Sequence, residues 1–299
     1  MRIPAVTTID FETYEIDNRP AYPPEPVGVS IQEHGKRPKY FAWGHVTGGN
    51  NCSKADAIRA LKAVWKTRKL FFNAKFDVEV ACIKLGLPFP SWDSVDDAMF
   101  LIYLHDPHAP DLKLKPSAER LLNMPPEERD AVKEWLWDNR KQLKLEHGIT
   151  FTQADSGANT WARYIAYAPG NIVAPYANGD CDRTTKLFRS LYPSIAERGM
   201  LPAYDREREI MPIFLQNEID GMRVDLPRLR RDIPIYQQAL EDADKWLRKR
   251  LKADISFDND GDVAEAFAKA GIVDDDVWTW TKGGKGRAPQ RSLHKDTLR

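Results

Sequence analysis

Apolar positions recur with two periods along the chain, and the changes of period outline the elements. From Ile3 to Phe11 the chain is rich in β-branched residues and predicts a strand; Val27–Ile31 and Lys39–Trp43 predict two more, making a meander. The Pro-, Tyr- and Asn-rich stretch 18–26 between the first two predicts a loop. Between Lys54 and Lys66 the spacing changes to a helical stripe of Ile58, Leu61, Ala63, Val64 and Trp65, with Ser53 as N-cap. Leu70–Phe72 predicts a short buried strand, followed by a helix over 73–85. Strands first, then strand and helix in alternation, predict a mixed sheet covered by helices.

Further along, the spacing predicts helices over Val95–Leu104, Lys115–Asn123 and Pro125–Lys144, the last opened by Pro125-Pro126-Glu127-Glu128. The polar stretch Thr152–Thr160 predicts an exposed loop, and a helix is expected from Pro175 to about Leu191. A boundary is expected over 192–202. Beyond it, helices are expected over Asp205–Glu218, kinked at Pro212, and Leu226–Leu251. The expected domains are therefore 1–200 and 201–299.

Composition changes this picture little. With 299 residues, 42% hydrophobic and 29% charged, the chain can bury a sizeable core and is not of disordered type. Its 44 basic and 44 acidic residues cancel, so any polyanion must be held by local patches or through metal. One such patch is Lys282–Arg299, with six basic residues against Asp296, a candidate phosphate contact. Cys52, Cys82 and Cys181 form no CxxC pair and are expected to be reduced packing residues. No signal-peptide pattern precedes Asp10 and no apolar run could span a bilayer, so a soluble, cytoplasmic protein without membrane partners is expected. Asp258-Asn259-Asp260-Gly261-Asp262 is a calcium-loop lookalike lacking the closing acid, and predicts a turn with a helix N-cap.

Three short pieces carry candidate chemistry. Asp10 and Glu12, two apart on a predicted strand, leave the same face while Phe11 points into the core. Paired hard oxygen donors suit Mg²⁺ or Mn²⁺, although a solvated strand end has the same pattern. Asn73 and Asp77, four apart at the start of a helix, follow a strand's C-terminal end. Tyr176 and Asp180 are again one turn apart, so a phenol and a carboxylate share a face. Taken singly, the Asn73/Asp77 pair is also compatible with an exposed helix, and the Tyr176/Asp180 pair with a surface helix that buries its Tyr.

The order of these pieces resembles the three exonuclease motifs of the DEDD superfamily, in the subclass with Tyr in the third motif. The matching residues are Thr8-Ile9-Asp10-Phe11-Glu12-Thr13, Phe72-Asn73-Ala74-Lys75-Phe76-Asp77 and Tyr176-Ala177-Asn178-Gly179-Asp180. The likeness is closest to the 3′–5′ proofreading domain of family A (DNA polymerase I-like) DNA polymerases, particularly the phage branch. Leu112-Lys113-Leu114-Lys115 resembles the helical connection between the second and third motifs, and Glu209–Asp225 resembles the passage into a polymerase thumb. The resemblance implies an α/β, ribonuclease-H-like mixed sheet followed by a helical thumb-like segment, truncated or split from its polymerase.

It also implies two divalent ions, Mg²⁺ or Mn²⁺. Asp10 would bridge them, Glu12 and Asp180 would complete one site, and Asp77 would help hold the second. Tyr176 and Glu12 would aim the attacking water, releasing nucleoside 5′-monophosphates from a single-stranded or frayed DNA 3′ end. Asn73 would touch substrate or buttress the acids, and Phe11 and Phe76 are candidates for stacking bases. A separately encoded polymerase is an implied partner. Two alternatives follow from the same family: a ribonuclease D-like RNA 3′ processing enzyme, and a non-catalytic structural module, which would have lost the acids retained here.

Overall fold

The computed structural model describes residues 3–125, 129–157, 159–273, 278–281 and 289–293. The meander forms as expected: β1 (Thr7–Thr13), β2 (Pro26–Gln32) and β3 (Lys39–Ala42) pair antiparallel. On the other side, β1 pairs in parallel with β4 (Lys69–Phe71), and β4 in parallel with β5 (Val95–Asp97). The sheet order is β3-β2-β1-β4-β5, the mixed arrangement expected of a ribonuclease-H-like fold. β1 lies at its centre, which is why a strand of sequence Thr-Thr-Ile-Asp-Phe-Glu-Thr is buried along nearly its whole length.

Strand alternation gives the sheet two different faces. Ile9, Phe11, Val29, Ile31 and Phe71 form an apolar face, packed against Leu61 and Trp65 near α1 (Lys54–Val64) and Val78 of α2 (Ala74–Glu79). The opposite face carries Thr8, Asp10, Glu12 and Ser30, and α8 (Gly170–Glu197) lies across it. Thr8 Oγ1 lies 2.6 Å from Thr185 Oγ1, Ser30 Oγ donates to Asn178 Oδ1 at 2.8 Å, and buried Cys181 abuts the carbonyl of Ser30. A polar strand face is stable here because a polar helix face satisfies it.

Ser53 caps α1 as expected, in a reciprocal capping box with Asp56. Other expectations are corrected. The helix expected over 95–104 is β5 followed by α3 (Ala98–His105), since Asp97 ends the strand and caps the helix, accepting from Met99 N–H at 2.9 Å. α4 spans Leu114–Leu122. The helix expected over 125–144 divides at Asn139 into α5 (Arg129–Asp138) and α6 (Arg140–His147); its Pro126-Glu127-Glu128 opening lies outside the described residues. The expected loop 152–160 contains α7 (Gln153–Gly157), and a 3₁₀ helix runs from Asn159 to Tyr167. Its apolar residues Trp161, Tyr164 and Ile165 are drawn into a core with Phe151 and Val173.

α8 begins five residues before Pro175. Gly170 sets that start: a Cβ there would lie 2.7 Å from Ala42 Cβ and 2.7 Å from the Gly49 carbonyl oxygen. Helix α9 (Leu201–Asp220) follows after a three-residue link and runs continuously through Pro212.

The chain forms two compact units, 1–221 and 222–299. Helix α9 therefore belongs to the first, beyond the expected boundary near 200, because Met211 and Leu215 bury themselves in the core under the sheet. The second unit contains α10 (Leu226–Leu251), α11 (Asp260–Lys269) capped by Asn259, and a short antiparallel pair, β6 (Thr279–Trp280) and β7 (Arg291–Ser292). Apart from 289–293, the basic segment 282–299 lies outside the described residues. All three cysteines are free, and no helix among the described residues is long and apolar enough to cross a membrane.

Candidate active site: a carboxylate cluster at the strand ends

The three parallel strands of the first unit all end in acidic chemistry. β1 carries Asp10 at its middle and Glu12 just before its last residue, β4 runs into Asn73 and the start of α2 that bears Asp77, and β5 ends in Asp96 and Asp97. In open sheets this carboxyl edge is where ligands gather. α8 adds Asp180 from across the polar face, through the register set by Asn178, Cys181 and Thr185.

The structure gathers the four expected acids. Asp10, Glu12 and Asp180 each place a carboxylate oxygen within 4.8 Å of the other two. Asp77 adjoins them from α2, and its Oδ1 accepts the Phe11 N–H at 3.0 Å. β1 pairs with β4 only at Thr7 and Thr8, so beyond that point the Asp77 carboxylate takes up a backbone donor of β1.

Such crowding opposes ionisation. Burial and then the charge of Asp180 push Asp10 up to about 8, opposed by Lys115. Burial, with Asp10 and Asp180 beside it, holds Glu12 well above the usual carboxylate range. Asp77 is likewise raised by burial and by Asp10, with the Phe11 N–H working the other way. Acids this close either keep protons or share cations. The donor set is all hard oxygen, which fits Mg²⁺ or Mn²⁺.

Tyr176 lies one helical turn before Asp180, its ring packed edge-on against Trp161 at 5.4 Å between centroids. Together with Asp10, Asp180, Phe72, Lys115 and Trp161 it bounds a cavity of about 370 Å³. A second hollow of about 350 Å³ lies on the Glu12 side, bounded by Phe11, Phe76, Thr160 and Arg163 among others. Phe11 is 5% exposed and belongs to the core under the sheet, although it borders this hollow. Phe76 is half-buried, 6.3 Å from the Tyr22 ring. Asn73 is exposed and takes the left-handed conformation at φ 63°.

Sequence reasoning passed over the residue that holds this turn. The Asp97 carboxylate accepts the backbone N–H groups of Asn73 at 3.1 Å, Ala74 at 2.7 Å and Met99 at 2.9 Å. It thereby ties the end of β5 to the segment that carries Asp77. Its burial raises it to about 6 against those three donors. The available signal was Asp96-Asp97 directly before an apolar helical run, an N-cap pattern. Lys115 has no sequence signal beyond its place in Leu112-Lys113-Leu114-Lys115, yet its Nζ lies 2.5 Å from Asp180 Oδ2. Arg163, which flanks the Glu12 hollow, carried no sequence signal.

No protein-family model matches the chain, and no curated protein matches it in sequence. Among solved structures it is similar to Brucella melitensis NrnC with bound Mg²⁺, at 15% identity and a TM-score of 0.45 over 74% of this chain and 89% of that one. NrnC bound to pGG gives 15% identity and 0.46 over the same shares. A structure described as the apo form of the nuclease gives 15% and 0.45 over 75% and 90%.

Proposed function

We propose that this chain is a divalent-metal-dependent 3′–5′ exonuclease, hydrolysing phosphodiesters at nucleic-acid 3′ ends to nucleoside 5′-monophosphates. The observation that carries the reading is the meeting of Asp10, Glu12 and Asp180 within 4.8 Å, with Asp77 beside them, from segments as much as 170 residues apart. Structural packing alone gives no reason to bury four acids together; a shared cation does.

Asp10, Glu12 and Asp180 are the residues to hold a metal, with Asp77 supporting a second ion. Bound ions supply Lewis-acid stabilisation of the phosphoryl oxygens and an acidified water. The chain's own groups do the rest. Tyr176 and Glu12 orient the water, and Asp97 fixes the turn that carries Asp77. The cavity beside Tyr176 takes the terminal nucleoside, and the hollow beside Phe11 and Phe76 takes the next one. Asn73, exposed at the turn, contacts the strand. A single-stranded or frayed end fits this edge, because a paired end must first pay for unpairing.

Within that activity, the DEDD-type motifs serve DNA and RNA enzymes alike, and the resemblance of Glu209–Asp225 to the passage into a polymerase thumb is what favours a proofreading part of a family A DNA polymerase, working with a polymerase domain. The test is digestion of labelled single-stranded DNA and RNA with Mg²⁺, Mn²⁺ or EDTA, using wild type and Asp77→Ala. Expected is metal-dependent release of nucleoside 5′-monophosphates from DNA, lost in Asp77→Ala. Preference for RNA would move the reading to RNA 3′ processing; no hydrolysis by wild type with either metal would end it.

A further inference from the structure

Lys115 is an ammonium built into the acidic cluster. It is the second residue of α4, with 17% of its side chain exposed, its Nζ 2.5 Å from Asp180 Oδ2 and 4.0 Å from the centroid of the Tyr176 ring. It faces the same cavity as Asp10, and its charge acts on both Asp10 and Glu12. The second cation near Asp180 is of another kind. Arg183 Nη1 lies 3.5 Å from Asp180 Oδ1, but its Nη2 donates to the Pro125 carbonyl at 2.8 Å, and it does not face the cavity. Arg183 is a fixed brace; Lys115 is a point charge on a flexible four-carbon stem, opening onto the space where a strand end would lie.

Resting on the nuclease reading, we infer that Lys115 is an internal counter-ion that competes with divalent metal for Asp180 and, once displaced, contacts the phosphate undergoing hydrolysis. Without metal, the ammonium spares the cluster one uncompensated carboxylate. When metal takes over Asp180, the ammonium is repelled toward the cavity, where a phosphate is the available anion. The exchange makes or breaks no covalent bond. Lys115 therefore lowers metal affinity and raises the rate of cleavage, two effects of opposite sign from one side chain.

That opposition is the test. In Lys115→Met, titration calorimetry of Mn²⁺ into the full chain without nucleic acid should show binding about tenfold tighter, because a positive charge 2.5 Å from a ligand oxygen of Asp180 is gone. Single-turnover cleavage of a single-stranded oligonucleotide at saturating Mn²⁺ should fall by about 100-fold, as when one preorganised charge contact to a developing anion is lost. Lys115→Arg should keep metal binding close to wild type. A merely structural lysine would weaken binding and cleavage together. Should Lys115→Met not fold, Lys115→Gln carries the same expectations. Wild-type-like or weaker Mn²⁺ binding in the folded variant, or undiminished cleavage, overturns the inference while leaving the nuclease reading standing. A wild type that neither binds Mn²⁺ nor cleaves removes the nuclease reading, and this inference falls with it.

Discussion

At the scale of single residues, the cluster ties metal to pH in a direction that can be worked out. Asp10 is raised to about 8, and Glu12 and Asp77 are also raised. The unfolded chain ionises these groups near pH ~4, whereas the fold retains their protons to higher pH. Between those values the native state binds more protons, so stability of the metal-free protein falls as pH rises from about 4 to about 8. Divalent metal displaces the protons and removes the repulsion. Thermal melts in EDTA and in Mn²⁺ should therefore diverge more at pH 8 than at pH 5.5; a gap that does not widen would mean the cluster does not hold those protons.

Asp97 belongs to the same scale. Asp97→Ala removes the acceptor of three backbone N–H groups, leaving donors at the Asp77 turn unsatisfied. Leaving buried donors unpaired costs about 1–3 kcal/mol, and misplacing an outer support of a metal site costs about 10–100-fold in activity. Chemical denaturation and cleavage rates measured on the same variant check both.

At the scale of elements, legibility followed local signal. β1 to β3 and their face assignment could be read because period-2 alternation is strong when one face is apolar and the other carries Thr8, Asp10 and Glu12. α1 could be read from Ser53 and its stripe. β5 could not: three residues are too few to show a period, and its strand character comes from pairing with β4. The 3₁₀ segment around Trp161 and Tyr164 was concealed by the polar stretch before it. Of the site, the acids and Tyr176 were legible as motifs, while Asp97 and Lys115 gain their roles only from three-dimensional contact.

The start of α8 shows a local signal overruled. Pro175 resembles a first-turn proline, yet the helix starts at Gly170, where close packing on Ala42 and Gly49 leaves no room for a side chain. Since α8 carries Tyr176 and Asp180, an error at its first turn is transmitted to the site. Gly170→Val should cost about 1–3 kcal/mol by overpacking. It should also slow cleavage, although the residue touches no acid. Full activity in a destabilised Gly170→Val would show that α8 does not set the position of Asp180 from this end.

At the scale of the whole molecule, the acids, Tyr176, Lys115 and both hollows belong to the unit 1–221, and α9 completes that unit. Tyr204 Oη donates to Asp96 Oδ1 at 3.0 Å and accepts the Asp97 N–H at 3.1 Å, while Arg208 Nε donates to the Val95 carbonyl at 2.7 Å. Helix α9 thus clamps β5, β5 presents Asp97, and Asp97 holds the turn that carries Asp77. A chain ending at residue 221 should therefore fold, bind Mn²⁺ and cleave single-stranded DNA as the full chain does per bound end. A chain ending at residue 200, the boundary suggested by the Tyr192–Pro202 stretch, would expose Asp96 and remove Met211 and Leu215 from the core under the sheet. It should lose several kcal/mol of stability, as expected for an opened core, and most of its cleavage with it. Comparing the two by urea denaturation and by cleavage separates α9 as part of the catalytic unit from α9 as the start of a separate thumb-like domain. Equal stability and activity in both chains would favour the latter.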